Sequence, residues 1–288
     1  MIVVADSGST KTDWVFIDTE GDKSFTIKTV GFNPYFQSSE VIYQTIVKEF
    51  GANIEILPDV KEVFYYGAGC SSPEKNDVVA VALKRLFSNA AIEVQHDMIA
   101  ASRATLRNEQ GIACIIGTGS NSCVWNGYEI TDNIPSHGYI FGDEGSGAYL
   151  GIELLKLFLN NQMNDDLRAE FVKEYNMDED TILTKVYRGT GPNVFLASFA
   201  KFYRNHLHFP QLEKVIEDAF KTFFETRIVK YNNYQQYKLG FVGSIAFYFS
   251  DILAKVATSY GMKIETITKC PIDNLVIFHS KNKVLNDK

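Results

Sequence analysis

At 288 residues the chain is longer than one ordinary hydrophobic core encloses, so two domains of about 100–200 residues each are expected. A content of 45% hydrophobic and 22% charged residues is that of a packed globular protein and excludes disorder, and no run approaches the ~20 apolar residues of a membrane helix. The net charge of −7 argues against nucleic acid as a partner, because that affinity grows from many Lys and Arg side chains neutralising phosphates.

No basic leader precedes the first apolar run, so neither export nor membrane attachment is expected and the expected compartment is the cytoplasm. The four cysteines, Cys70, Cys114, Cys123 and Cys270, form no CxxC or CxxH pair. Buried reduced thiols are expected rather than a zinc ribbon or a dithiol redox centre.

The first lobe opens on Ile2-Val3-Val4-Ala5, turns through Asp6-Ser7-Gly8-Ser9-Thr10 and continues as a β-rich run to Ile17, which predicts a hairpin. A turn at Glu20-Gly21-Asp22 leads to a strand over 24–30. Val41, Ile42, Ile46, Val47 and Phe50 repeat at helical spacing after two serines suited to capping, which predicts a helix over 38–52. A strand over 63–66 runs into Gly67-Ala68-Gly69, and Pro73 opens a helix to about 88. A strand over 92–95 ends at His96-Asp97, and a small-residue helix follows over 99–104. The succession builds an α/β layer. The polar stretch from Arg107 to Gly111 is the expected boundary, giving lobes 1–108 and 109–288.

The second lobe begins like the first: Ile112 to Ile116, a turn at Gly117-Thr118-Gly119-Ser120, then Ser122 to Trp125. Gly119-Ser120 falls on Gly8-Ser9, which suggests duplication. A largely helical insertion is expected from 146 to about 237, broken near Asn161, Asn176, Gly189 and Pro210. Strand 238–242, the Gly243-Ser244 turn, a helix over 245–259, a strand over 263–266 and a short terminal helix after Pro271 complete the pattern.

Both Gly/Ser/Thr turns suit phosphate: small residues bare backbone N–H groups, hydroxyls add donors, and Lys11 adds charge. Asp6, at the end of a buried strand, suits a hydrated Mg²⁺ shared with phosphate. Each turn taken alone also fits an ordinary hairpin, and GxxxxGK[ST] is absent. Asp97 reads either as a helix N-cap or as a carboxylate able to accept a hydroxyl proton during phosphoryl transfer. Gly142-Asp143-Glu144-Gly145-Ser146 places two acids among glycines before an apolar helix, an arrangement that could hydrogen-bond sugar hydroxyls strictly.

In this order the pieces resemble the N-acetylglucosamine kinase and BadF-type ATPase family of actin-like proteins over nearly the whole chain. Asp6–Thr12 resembles the family's first phosphate motif, DGGGTKT, Gly117–Ser120 its GTGS motif, Gly142–Ser146 its GDEGS, and Gly243-Ser244 its adenosine turn. The resemblance implies two ribonuclease H-like (actin-like ATPase) domains of α/β class with an interdomain cleft. It implies ATP and Mg²⁺ as cofactors, a small sugar as substrate, and phosphorylation of an amino sugar, N-acetylglucosamine at its 6-hydroxyl, with a homodimer possible. Asp97 would be the base and Asp6 would serve the metal. Asn33, Gly69, Gly117, Thr118 and Asp143 would line the sugar pocket. Gly8, Ser9, Thr10, Lys11, Thr12, Gly119, Ser120, Gly243 and Ser244 would serve ATP. Ser7 and Ser9 replace glycines of the first turn, and Asn274 stands for a terminal glycine. The alternatives are a BadF-type activator of a radical dehydratase, whose paired cysteines this chain lacks, and a non-catalytic sugar or nucleotide sensor.

Overall fold

Ile2, Val3, Val4 and Ala5 form an unbroken apolar run because both faces of their strand are covered. The computed structural model describes residues 1–8, 10–18 and 23–286, and the turn expected at Glu20-Gly21-Asp22 lies outside the described residues. Strand β1 (Ile2–Ser7) pairs antiparallel with β2 (Lys11–Ile17), and β2 with β3 (Lys23–Val30). Helix α1 (Ser39–Phe50) starts at Ser38, whose hydroxyl accepts from the Val41 N–H. After a 3₁₀ stretch over Gly51–Asp59 come β4 (Glu62–Gly67), α2 (Pro73–Leu86), β5 (Ala91–His96) and α3 (Asp97–Thr105). The sheet order is β3-β2-β1-β4-β5, with β4 and β5 parallel to β1.

Alternation along these strands feeds two cores. Val3, Ala5, Trp14, Phe16, Val63 and Tyr65 point to one face under α1 and α2, whereas Ile2, Val4, Val15, Ile17 and Tyr66 point to the other. Trp14 is fully buried, edge-on to Phe50 at 5.3 Å, with Nε1 donating to Thr29 Oγ1 at 3.0 Å. Burial of such a ring contributes on the order of 2–3 kcal/mol.

The second unit repeats the plan. Strands β6 (Gly111–Ile116), β7 (Ser120–Trp125) and β8 (Ile130–Asn133) are antiparallel neighbours; β8 had no counterpart among the expected elements. Then come α4 (Gly138–Phe141), α5 (Gly147–Leu159), α6 (Asp165–Tyr175), α7 (Glu179–Tyr187), α8 (Pro192–Ser198), α9 (Ala200–Asn205) and α10 (Pro210–Thr226). Strand β9 (Lys238–Val242), α11 (Ser244–Tyr248), α12 (Ser250–Ser259) and β10 (Ile264–Thr268) close the unit. The sheet order β10-β9-β6-β7-β8 mirrors that of the first unit strand for strand. The aromatic residues of the helical stretch, among them Phe171, Phe199, Phe202, Phe220 and Phe223, are core.

The chain then returns to the first unit as α13 (Ile272–Asn286). The units are Met1–Arg107 with Cys270–Lys288, and Asn108–Lys269. The expected assignment of everything after residue 108 to the second lobe is therefore corrected at the C-terminus. The physical reason is burial: Ile272 and Leu275 of α13 join α3 in covering the second face of the first sheet, which α3 alone would leave open. Asn274, standing where a glycine was expected, donates from Nδ2 to the Ala104 carbonyl of α3 at 3.0 Å.

Candidate functional site

In the first unit, Asp6 lies near the end of β1, and parallel pairing through β4 to β5 brings the start of α3 to the same end of the sheet. The Asp6 carboxyl is raised to about 7, first by burial and then by the charges of Asp97 and Asp13, with Lys11 pulling it down. Asp97 is the first residue of α3, but the cap is His96, whose Nδ1 accepts from the Met98 N–H at 3.1 Å. The same Nδ1 lies 2.9 Å from Asp97 Oδ1, and one ring nitrogen cannot accept from Met98 and donate to Asp97 at once. While the neutral imidazole caps the helix, Asp97 Oδ1 is buried without a hydrogen-bond partner among the described residues. For His96 itself burial, the largest influence, opposes the charged form, yet the Asp97 hydrogen bond and charge outweigh it and the net direction is upward.

The first turn closes through the Gly8 N–H donating to the Lys11 carbonyl at 3.0 Å. Gly8 and Thr10 are exposed, while Ser9 lies outside the described residues. Two other expected nucleotide contacts are placed differently. Thr12 is fully buried, with its hydroxyl 2.8 Å from that of Ser7 and donating to the Val30 carbonyl at 3.0 Å. It therefore frames the turn from inside. Lys11 Nζ sits 2.5 Å from Asp13, so its charge is already paired.

Asn33 and Gly69 are brought together. Asn33 Oδ1 accepts the Tyr35 N–H at 2.9 Å, so the donor end of its amide is what it can offer a ligand. A Cβ at Gly69, where φ is +82°, would meet that Oδ1 at 2.7 Å; the loop needs glycine here. Cys70 beneath it is buried, its thiol pushed up to about 12 by burial and then by Asp97.

In the second unit, Gly117, Thr118, Gly119, Ser120 and Asp143 form one hydrogen-bonded cluster. Asp143 Oδ1 accepts the Ser120 N–H at 3.2 Å and the Ser136 hydroxyl at 2.8 Å. Ser120 Oγ donates to the Glu144 carbonyl at 2.8 Å. Gly147 and Ala148 N–H groups donate to the carbonyls of Gly117 and Thr118 at 2.8 and 3.0 Å, so these donors at the start of α5 are taken by the turn. Burial raises the Asp143 carboxyl, while the Ser120 and Ser136 hydrogen bonds lower it; Glu144 raises it and Arg227 lowers it. Gly243, at φ +125°, passes so close to β6 that a Cβ would meet the Ile116 carbonyl oxygen at 2.2 Å and the Gly117 nitrogen at 3.0 Å. The Gly243-Ser244 turn thus abuts the second turn.

Arg227, absent from the expected site, is 4% exposed and pairs with Glu144 at 2.7 Å. A signal for it existed: Ile216, Phe220 and Phe223 form the buried stripe of α10, and Arg227 stands four residues on, where the stripe calls for an apolar side chain. A charge on that stripe must find a buried partner.

Among the described residues no group of three or more His, Cys, Asp or Glu side chains could hold a metal ion. A single carboxylate such as Asp6, which feels the charges of Asp97 and Asp13, suits a hydrated divalent cation shared with an anionic ligand, the mode Mg²⁺ favours. A cavity of about 380 Å³ between α5 and α7 is lined chiefly by aliphatic side chains and includes none of the expected site residues.

No protein-family model and no curated protein matches the sequence. Among solved structures, a candidate N-acetylglucosamine kinase from Porphyromonas gingivalis is 37% identical over 98% of this chain and 100% of its own, with a TM-score of 0.94. A second candidate N-acetylglucosamine kinase, from Chromobacterium violaceum, shares 14% identity over 96% of this chain and 98% of its own, with a TM-score of 0.71. A ROK family glucokinase from Streptomyces griseus, solved with glucose and AMPPNP, shares 15% identity over 96% of each chain, with a TM-score of 0.57. The last two share the fold alone.

Proposed function

This chain belongs to the N-acetylglucosamine kinase family of actin-like ATPases, and from that premise we propose that it transfers the γ-phosphoryl group of ATP to the 6-hydroxyl of N-acetylglucosamine. The observation that carries the reading is Asp97 Oδ1, a buried acceptor left without a hydrogen-bond donor while the neutral His96 ring, 2.9 Å away, caps α3, on the carboxylate that helps raise Asp6. Asp97 accepts the sugar hydroxyl proton as the oxygen attacks the γ-phosphorus. The bond to the β,γ-bridging oxygen breaks, ADP leaves, and the proton passes from Asp97 to solvent. Mg²⁺, held through Asp6 and the phosphates, would neutralise developing charge.

Each unit offers its own groups to this reading. From the first come Asp97, Asp6, the exposed Gly8 and Thr10, and the Asn33 amide beside Gly69. From the second come the Gly117–Ser120 turn, Asp143 as a hydroxyl acceptor, and the Gly243-Ser244 turn, packed against Ile116 and Gly117, for the adenosine. In phosphoryl transfer the protein contributes chiefly position and charge, which is what these groups provide.

The test is ADP release measured across amino sugars against a sugar-free control, with the phosphate position in the product read by NMR. Release that depends on N-acetylglucosamine and yields the 6-phosphate supports the reading. Hydrolysis indifferent to sugar would mark an activator-type ATPase, and nucleotide binding without turnover a sensor; either outcome removes it.

A further inference from the structure

The Arg227 guanidinium is held from three sides: Nη1 donates to the Pro135 carbonyl at 2.6 Å, and Nη2 donates to the Ser136 carbonyl at 3.0 Å and to Glu144 Oε2 at 2.7 Å. The fork thereby ties the segment before α4 to the loop after it. The two tied points flank Asp143. Ser136 supplies the hydroxyl that donates to Asp143 Oδ1 at 2.8 Å, and Glu144 is the next residue, whose carbonyl takes the Ser120 hydroxyl. At Gly142 a Cβ would lie 1.6 Å from the Ser136 carbonyl oxygen and 2.8 Å from Arg227 Nη2, so the two segments cross in backbone contact at the guanidinium. Asp143 itself takes a left-handed backbone, φ 53°, a region that Asp enters more readily than most side chains but that its hydrogen bonds to Ser120 and Ser136 help to hold.

We propose that Arg227 is a positioning residue for sugar capture: by clamping Pro135-Ser136 to Glu144 it holds the Asp143 carboxylate in its acceptor geometry beside the Gly117–Ser120 turn. The role rests on the reading of Asp143 as a sugar-pocket group. Arg227 is itself buried behind the loop and acts through Ser136 and Glu144. Lysine at this place keeps the charge but not the planar fork, so it cannot reproduce two carbonyl bonds and a carboxylate bond together.

Arg227→Met alone would leave Glu144 buried without its cation and could unfold the unit. The test therefore uses Arg227→Lys, the double variant Arg227→Met/Glu144→Met, which removes both charges, and Ser136→Ala, which cuts the hydroxyl link to Asp143. Sugar KM, ATP KM, kcat and thermal melting are measured for each against wild type. The expected result is a rise of about ten-fold or more in sugar KM for Arg227→Lys and the double variant, and a smaller rise for Ser136→Ala, with ATP KM and kcat within about two-fold. A merely structural role would lower the melting point, raise both KM values and lower kcat together. Unchanged sugar KM in a folded Arg227 variant overturns the role, and should both Arg227 variants lack a melting transition, unchanged sugar KM in Ser136→Ala overturns it. Wild-type protein without sugar-dependent ADP release overturns the kinase reading and this role with it, whereas active wild type with unaffected variants overturns the role alone.

Discussion

The charge of Asp97, on the first turn of α3, is one of the causes that raise the carboxyl of Asp6, at the end of β1, to about 7. Two acids from separate elements of the first unit thus feel each other's charge. A base needs such a place, where its carboxylate is held by the scaffold and a neighbouring cation relieves the repulsion.

Asp97→Asn removes the proton acceptor while keeping shape. Turnover is expected to fall by about 10²–10⁴-fold, with ATP affinity by calorimetry nearly intact. In metal-free protein the Asp6 carboxyl should titrate at lower pH, because a like charge has gone; carbon NMR of the carboxyl reports this. Near-normal turnover would remove Asp97 from the mechanism.

His96 chooses between Met98 N–H and Asp97. Its raised pKa means that the imidazolium, donating to Asp97 Oδ1, persists somewhat above the ordinary histidine range and occupies the base. Activity at saturating substrates should therefore fall on acidification as the imidazolium forms. His96→Asn, which can still cap α3 without titrating, is expected to move the acid limb of kcat to lower pH. An unshifted limb would mean that the ion pair does not govern the base.

His279 on α13 is buried, stacks on Phe64 at 3.8 Å and meets the Tyr66 hydroxyl at 2.8 Å. Burial, then the Arg103 charge, lowers its pKa from 6.5 to about 3. Between these values the unfolded chain binds a proton that the folded chain refuses, so stability present above pH 6.5 declines on acidification, by at most about 1.4 kcal/mol per pH unit. Urea melts of His279→Gln should show a shallower decline over that window than wild type. Parallel slopes would show that other groups set the acid sensitivity.

Gly243→Ala places a methyl carbon against the Ile116 carbonyl oxygen at a φ that side chains avoid. A loss of roughly 2–3 kcal/mol in stability is expected, with a raised KM for ATP because the turn beside Gly117 is displaced. Denaturant melts and kinetics read the two effects separately, and a neutral substitution would contradict the close packing.

Much of the fold was legible. Both hairpins, α1, α2, the strand at Lys238–Val242 and the helical stretch with its breaks follow from periodicity and capping. The short strand β8 and the one-turn α4 carry too few residues for a pattern. The expected single helix over 245–259 is instead two, α11 and α12, divided at Phe249, a break that no Gly or Pro marks.

The sequence by itself determined the two turns, the Gly142–Ser146 loop, Asp97 before a small-residue helix, and two lobes that begin alike, because these depend on residue types at short range. Tertiary structure alone decided that α13 seals the first unit, that His96 rather than Asp97 caps α3, that the Thr12 hydroxyl and the Lys11 charge are taken internally, and that Arg227 reaches Glu144 from another element. Each depends on which partner a polar or apolar group meets once distant segments pack together, and no local pattern records that meeting.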